Sequence, residues 1–464
     1  MIEDIILGLQ PQLILSLQES LRIPSVYEDD DSNYPYGRAV NQALEHFLTT
    51  AEKLGFKVVN LAGKVGYIEY GVANEMIMIA GHVDVVPAGN NWQEEPFGGN
   101  LVGKRLYGRG AIDDKGPMFT CLYALVALRQ ASVKLKRRVR LVIGTNEEKG
   151  MDCLHYYVAT GQEMPVAGFT PDGKFPVVNG EKGIIQANIK KQISPGTNGI
   201  QVSSLYGGTA FNMVPAEAEA LLLGSDEELR LAKIQLEALN DEQLKAIINK
   251  DKSLSILASG VSAHASTPEQ GDNAITRLIL ALAQLKGLDP TWQETCHQLG
   301  CKLLTGNNGR GIGIAMEDAA SGKLSLNIGI LRYTEGELLL TLDIRYPVTE
   351  LGKEIITKLS QAPLFKEYDL SLQHQLDPVY FPPEHELIKS LAGAFTTITG
   401  EEMRYLSMGG GTYAKVIPNM VAFGPCLPED AEADSLHKPD EFTTLSHLER
   451  NMRIYAQAIS NLAN

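Results

Sequence analysis

Four short apolar runs in this chain each lead into a segment holding a histidine or a carboxylate, and that recurrence narrows the folds open to it. Residues 76–80 lead into Gly81-His82-Val83-Asp84, residues 139–144 into Thr145-Asn146-Glu147-Glu148, and residues 166–170 into Pro171-Asp172. Residues 420–424 lead into a loop holding His437. Short apolar runs alternating with helical patterns, such as 115–130, predict an α/β layer with a mostly parallel sheet. In open sheets of that kind, ligands bind beyond the carboxyl ends of the strands. The four runs therefore deliver their polar groups to one sheet edge. A fifth segment, residues 108–117, sets Asp113 and Asp114 just ahead of the 115–130 helix.

Beyond this frame the pattern changes once and then returns. Residues 1–55 read as two helical patterns around a polar loop, 27–36. Residues 181–223 read as strands and turns, 226–249 as a charged amphipathic helix, 254–261 as a strand and 273–287 as a helix. Two more strands, 323–332 and 337–345, are followed by a helix. The α/β texture resumes after Val379, with a helix at 385–399, a strand at 420–424 and a last helix from Thr444. The expected organisation is an α/β catalytic domain with a mostly parallel mixed sheet, split into 1–179 and 380–464. An α+β domain, 180–379, is inserted between the two segments.

Composition limits the function classes. The 464 residues are too many for one ordinary core, so two or three domains are expected. Forty-one Lys and Arg against 56 Asp and Glu give a formal charge of -15, which argues against a nucleic-acid partner. No apolar run reaches about 18 residues, so no membrane span is expected. The first residues, Met1-Ile2-Glu3-Asp4, carry acids where a signal peptide carries bases. The five cysteines are scattered without a Cys-x-x-Cys pair, which suggests neither a disulfide framework nor a thiolate zinc site. A cytoplasmic address is the expectation.

Each polar group has an ordinary reading when taken alone. Asp113 or Asp114 suits a helix cap, Glu147 and Glu148 suit a solvated loop, and Asp172 in Pro-Asp-Gly suits a turn. A single His437 in a polar loop would carry no message. His82 and Asp84 say more, because two residues apart on an extended segment they share a face. The Asp84 carboxylate can then orient the imidazole, the usual support of a metal-bound histidine. Jointly, imidazoles and carboxylates at one sheet edge fit a site for two divalent ions, zinc first, with manganese or cobalt also compatible. An acid in the middle, such as Asp113, can bridge the two. A spare Glu beside a metal-bound Glu is what a hydrolase needs as general base.

These segments resemble the signature of the M20 metallopeptidases, which include di-zinc dipeptidases, deacylases and carboxypeptidases. The matching residues are Gly81 to Pro87, Trp92 with Pro96-Phe97, Leu106 to Gly116, and Thr145 to Glu148. Asp113-Asp114-Lys115-Gly116-Pro117 and Gly409-Gly410-Gly411-Thr412-Tyr413 look most like the PepV-type (Xaa-His or unspecific) dipeptidases of bacteria. The resemblance implies a zinc-peptidase-like catalytic domain with an inserted lid. It implies that His82 and Asp172 hold one metal, Glu148 and His437 the other, and that Asp113 bridges both, with a cis peptide bond to Asp114. Glu147 would be the general base and Asp84 would orient His82.

On the lid, Asn212 and His264 match substrate-contacting positions, His264 facing the oxyanion, and Arg345 would bind the substrate's terminal carboxylate. Gly410 and Gly411 would line the pocket at that same end; no Gly-Lys-Ser/Thr follows them, so a phosphate loop is excluded. The resemblance to the PepV-type enzymes, whose lid is similarly enlarged, implies a monomer acting on small peptides and closing over its substrate. The leading expectation is a dinuclear metal dipeptidase, and its rival is an N-acyl amino acid deacylase using the same metals and base. A non-catalytic binding protein is disfavoured by the presence of Glu147. A serine hydrolase is disfavoured by the absence of a Gly-x-Ser-x-Gly elbow.

Overall fold

The structure is a computed structural model that describes residues 2–29, 34–194 and 196–464. Met1, residues 30–33 of the predicted polar loop and Pro195 lie outside the described residues. The chain divides into two compact units.

The first unit comprises Met1–Gly180, Val379–Ser407 and Gly411–Asn464. Its main sheet runs in the order Lys57–Leu61, Val65–Tyr70, Arg138–Gly144, Met76–His82, Ala167–Thr170, Met420–Ala422, Val177–Glu181 and Val379–Tyr380. The middle four strands are mutually parallel; the flanking pairs are antiparallel. Met76–His82 is buried at every residue, which is why it reads as an unbroken apolar run rather than an alternating one.

The Lys115–Gln130 helix is buried from Lys115 through Leu128 and packs against the Ile2–Leu21 and Leu445–Ala463 helices. Its Phe119 ring lies 4.7 Å from that of Phe47 on the Arg38–Lys53 helix. Gly81 has a particular reason to be glycine. A Cβ there would stand 2.0 Å from Asp114 Oδ2, and that oxygen accepts from the His82 N–H at 3.1 Å.

The second unit comprises Glu181–Pro378 with Met408–Gly410. Eight strands form one antiparallel sheet in the order Leu244–Ile248, Leu254–Ser259, Glu217–Leu223, Gln201–Gly207, Ser325–Thr334, Glu337–Tyr346, Gly183–Gln192 and Asp369–Leu376. A separate core includes Leu278, Leu282 and Trp292, whose ring meets Tyr333 edge-on at 4.5 Å. An antiparallel sheet whose strand groups are separated by the helices Asp226–Glu237, Ala274–Gln284 and Gly352–Gln361 is the α+β arrangement expected of this block.

The 226–249 region departs from its prediction. A capping box between Ser225 and Glu228 starts a helix, but it ends at Glu237. Asn240 turns the chain with a φ of 51°, and Leu244–Ile248 pairs antiparallel with Leu254–Ser259. Main-chain pairing at a sheet edge here outweighs local helical propensity.

Near the start of the last helix, His447 is buried against Cys426, whose Sγ is 3.6 Å from Nε2, and Thr443, whose Oγ1 is 3.1 Å from Nδ1. Burial, and after it the Arg450 charge, lower its pKa from 6.5 to about 4. The folded chain thus binds fewer protons here than the unfolded chain between those values. The associated stability is complete above about pH 6.5 and is lost as pH falls toward 4, reaching roughly 3 kcal/mol. His447→Gln is expected to flatten that slope. Thermal midpoints of both proteins between pH 7 and pH 4, with chelator present, would show it; equal slopes would refute it.

Candidate metal centre

The parallel strands end where the polar groups begin. His82 closes Met76–His82, Glu147 and Glu148 follow Arg138–Gly144, and Asp172 follows Ala167–Thr170. His82 Nε2 is 3.1 Å from Asp113 Oδ1 and 3.9 Å from Asp172 Oδ2. His437 Nε2 is 2.8 Å from Asp113 Oδ2 and 3.4 Å from Glu148 Oε1. Asp113 thus turns one oxygen to each of two groups, His82–Asp113–Asp172 and Asp113–Glu148–His437, each with its donor atoms within 4.8 Å of one another. A tetrahedral ion with ~2.0 Å bonds to N and O holds its ligand atoms about 3.3 Å apart, so the donor spacings suit such an ion. The Asp113–Asp114 peptide bond is cis.

The charges suit it as well. Among the described residues, no lysine or arginine pairs with Asp113, Glu147, Glu148 or Asp172. Burial and then the Asp113 charge push Asp172 up to about 7. Burial raises Glu147 and Glu148, with Asp172 the next cause for the first and Asp113 for the second. Burial opposes ionisation of Asp113, yet His437 and His82 hold its carboxyl well below the usual range. Burial likewise opposes protonation of His437, but Asp113 and Glu148 raise it to about 11. Carboxylates this crowded are relieved by a divalent cation.

Glu147 is half-buried beside Glu148 and belongs to neither donor group. Asp84 differs from its expected geometry. His82 Nδ1 meets the Asp84 main-chain carbonyl at 2.9 Å, while the carboxylate Oδ1 is 3.5 Å away. The other carboxylate oxygen accepts from the Glu148 N–H at 3.1 Å. Asp84 therefore orients the imidazole through its backbone and steadies Glu148 through its side chain.

In the second unit, Asn212, His264, Arg345 and Gly410 share one neighbourhood. The Ala265 N–H donates to the Asn212 carbonyl at 2.8 Å, beside a bridge between Met213 and His264. His264 Nδ1 accepts from the Ser266 N–H at 3.2 Å, which leaves the ring proton of the neutral form on Nε2. The Arg345 guanidinium grips buried Asp343 through two bonds of 2.6 and 2.9 Å and donates to the Gly409 carbonyl at 2.8 Å. Arg345 pairs in register with Ser325, whose hydroxyl donates to the Ala265 carbonyl at 3.3 Å. Gly411, unlike Gly410, falls in the first unit. Arg345 is buried.

The sequence model of "Peptidase family M20/M25/M40" matches residues 78–461. The chain belongs to this family. It is 37% identical to YtjP of Bacillus subtilis (strain 168) over 457 residues, 97% of each chain. It is 30% identical over 462 residues to the beta-Ala-Xaa dipeptidase of Lactobacillus delbrueckii subsp. lactis, covering 97% of this chain and 96% of the relative. The crystal structure of human carnosine dipeptidase 1 matches over 100% of this chain and 98% of its own, with a TM-score of 0.58 and 15% identity, a likeness of fold.

Two further features of this M20-family chain were not anticipated from sequence. Cys426, Asp430 and His447 also stand at ligand spacing, but Arg450 already engages both oxygens of Asp430, at 3.2 and 2.5 Å. Glu441 is the other: fully buried, it accepts from the backbone of the loop that carries Asp113. Lying in the polar segment after His437, it has no local pattern to mark it. Its place four residues beyond a candidate ligand, just before the Phe442–Thr444 strand, is the available signal.

Proposed function

We propose that this M20-family protein is a dinuclear metal dipeptidase that hydrolyses the peptide bond of dipeptides with a free amino terminus. The observation that carries this reading is the pair of donor groups sharing Asp113, with the unligated Glu147 next to Glu148. His82 and Asp172 would hold one ion, Glu148 and His437 the other, and Asp113 would bridge them. Zinc suits these donors first; manganese and cobalt are accepted by the same set. When bound, the ions supply Lewis acidity that acidifies water and polarises the scissile carbonyl.

The remaining roles fall to the chain. Glu147 takes the proton from the attacking water and returns it to the leaving amine. His264 donates its Nε2–H to the developing oxyanion, Asn212 supports that contact, and Arg345 binds the product-side carboxylate as a planar fork. Gly410 and Gly411 line the carboxylate end. By analogy with the PepV-type dipeptidases that it resembles, the protein acts as a monomer. A cytoplasmic address is supported by five free cysteines; no helix among the described residues is long and apolar enough to cross a membrane.

The dipeptidase reading is favoured over a deacylase by the names that its relatives carry. A dipeptide panel, each member free and N-acetylated, tested on metal-stripped and metal-restored protein, separates the two. Metal-dependent cleavage of the free forms alone is the expected result. Cleavage of the acylated forms alone would move the protein to the deacylases.

A further inference from the structure

We infer that Glu441 is a positioning residue of the metal centre, its single carboxylate locking the Asp113 loop and the His437 loop into one frame. The inference rests on the proposed ligand set. Glu441 Oε1 accepts from three successive parts of the Asp113 loop: the N–H groups of Gly110 at 3.0 Å, Ile112 at 2.9 Å and Asp113 itself at 3.3 Å. Oε2 accepts from Arg109 Nη1 at 2.6 Å. Glu441 is 0% exposed and Arg109 1%, so water does not compete for these bonds.

The clasp reaches both ways along the chain. The Glu441 carbonyl accepts from the Gly108 N–H at 2.9 Å. Its neighbour Asp440 accepts the Gln93 and Glu94 N–H groups on one oxygen, at 2.8 and 3.0 Å. Arg109 donates also to the Ala88 carbonyl at 3.3 Å and lies 5.2 Å from the Trp92 ring centre. The segment carrying His437, which has a φ of 59°, is thereby tied to the segments on either side of Asp113. Asp113 must offer one oxygen to each donor group, so a small rotation of its loop would spoil both at once.

Only a carboxylate meets this demand. Glutamine keeps the shape, but its amide has one acceptor oxygen, and its NH₂ must face either the backbone N–H groups or the guanidinium. Supports of this kind typically cost 10- to 100-fold in metal affinity or activity when removed.

The test is Glu441→Gln, followed by metal titration, thermal unfolding and kinetics on the full-length protein. Metal affinity is expected to fall by ~10- to 100-fold in protein that remains folded. KM for a dipeptide should hold while kcat drops, and excess zinc should restore much of kcat. Unchanged affinity and kcat in folded variant would overturn the inference, as would losses that track only the unfolded fraction. Wild-type protein that binds no metal would instead sink the metal reading, and this inference with it. If Glu441→Gln does not fold, Arg109→Lys keeps the charge and loses the fork. It should weaken metal binding several-fold, and parental affinity there would count against the clasp.

Discussion

Glu147→Ala is expected to lower kcat by ~10²- to 10⁴-fold, the usual contribution of a general base, while the protein keeps two equivalents of metal. The separation follows from the geometry. Every donor atom in the two groups belongs to His82, Asp113, Asp172, Glu148 or His437, so removing Glu147 leaves all of them in place. Glu147→Asp should recover part of the rate, because a shorter carboxylate still accepts a proton from water. Metal content by mass spectrometry and steady-state kinetics on the same preparation decide the matter. Full activity in the alanine variant would end the mechanism; loss of one metal equivalent would make Glu147 a ligand instead.

The second large effect concerns Arg345. Three of its five N–H donors are engaged, two by Asp343 and one by the Gly409 carbonyl, so the fork is held in place before substrate arrives. Removing one member of a buried, hydrogen-bonded charge pair costs about 2–5 kcal/mol, roughly 30- to 5,000-fold in kcat/KM. Arg345→Ala should show that loss on a dipeptide with a free carboxylate and almost none on its C-terminal amide. The variant also strands Asp343, which is 0% exposed. The paired change Arg345→Ala with Asp343→Asn removes that burden and should keep the same preference between acid and amide. Equal losses on both substrates would assign Arg345 to folding alone.

The parts of this molecule that could be read from sequence are those governed by local pattern. His82 ends a buried strand, and Glu148 and Asp172 follow within four residues of the end of one, so the apolar runs point to them. The Lys115–Gln130 helix matches its prediction because the apolar run sets its extent, although the Asp114 side chain does not cap it and accepts from the His82 N–H instead. What escaped depends on pairing over distance. Leu244–Ile248 has the periodicity of the helix before it, and only Leu254–Ser259 makes it a strand. The orientation of His82 by the Asp84 carbonyl, rather than its carboxylate, depends on the local path of the backbone. Glu441 finds its donors more than three hundred residues earlier in the chain, where no window of sequence reaches.

That last separation has a consequence for biosynthesis. His82, Asp113, Glu148 and Asp172 are all translated before the inserted unit, whereas His437 and Glu441 come near the end. A ribosome that has made the first 430 or so residues, counted from the sequence, holds a chain with one proposed donor group and no clasp. On the proposed ligand set, the second donor group is complete only once residue 437 has been made, so metal-dependent peptidase activity is expected to appear only at the end of synthesis.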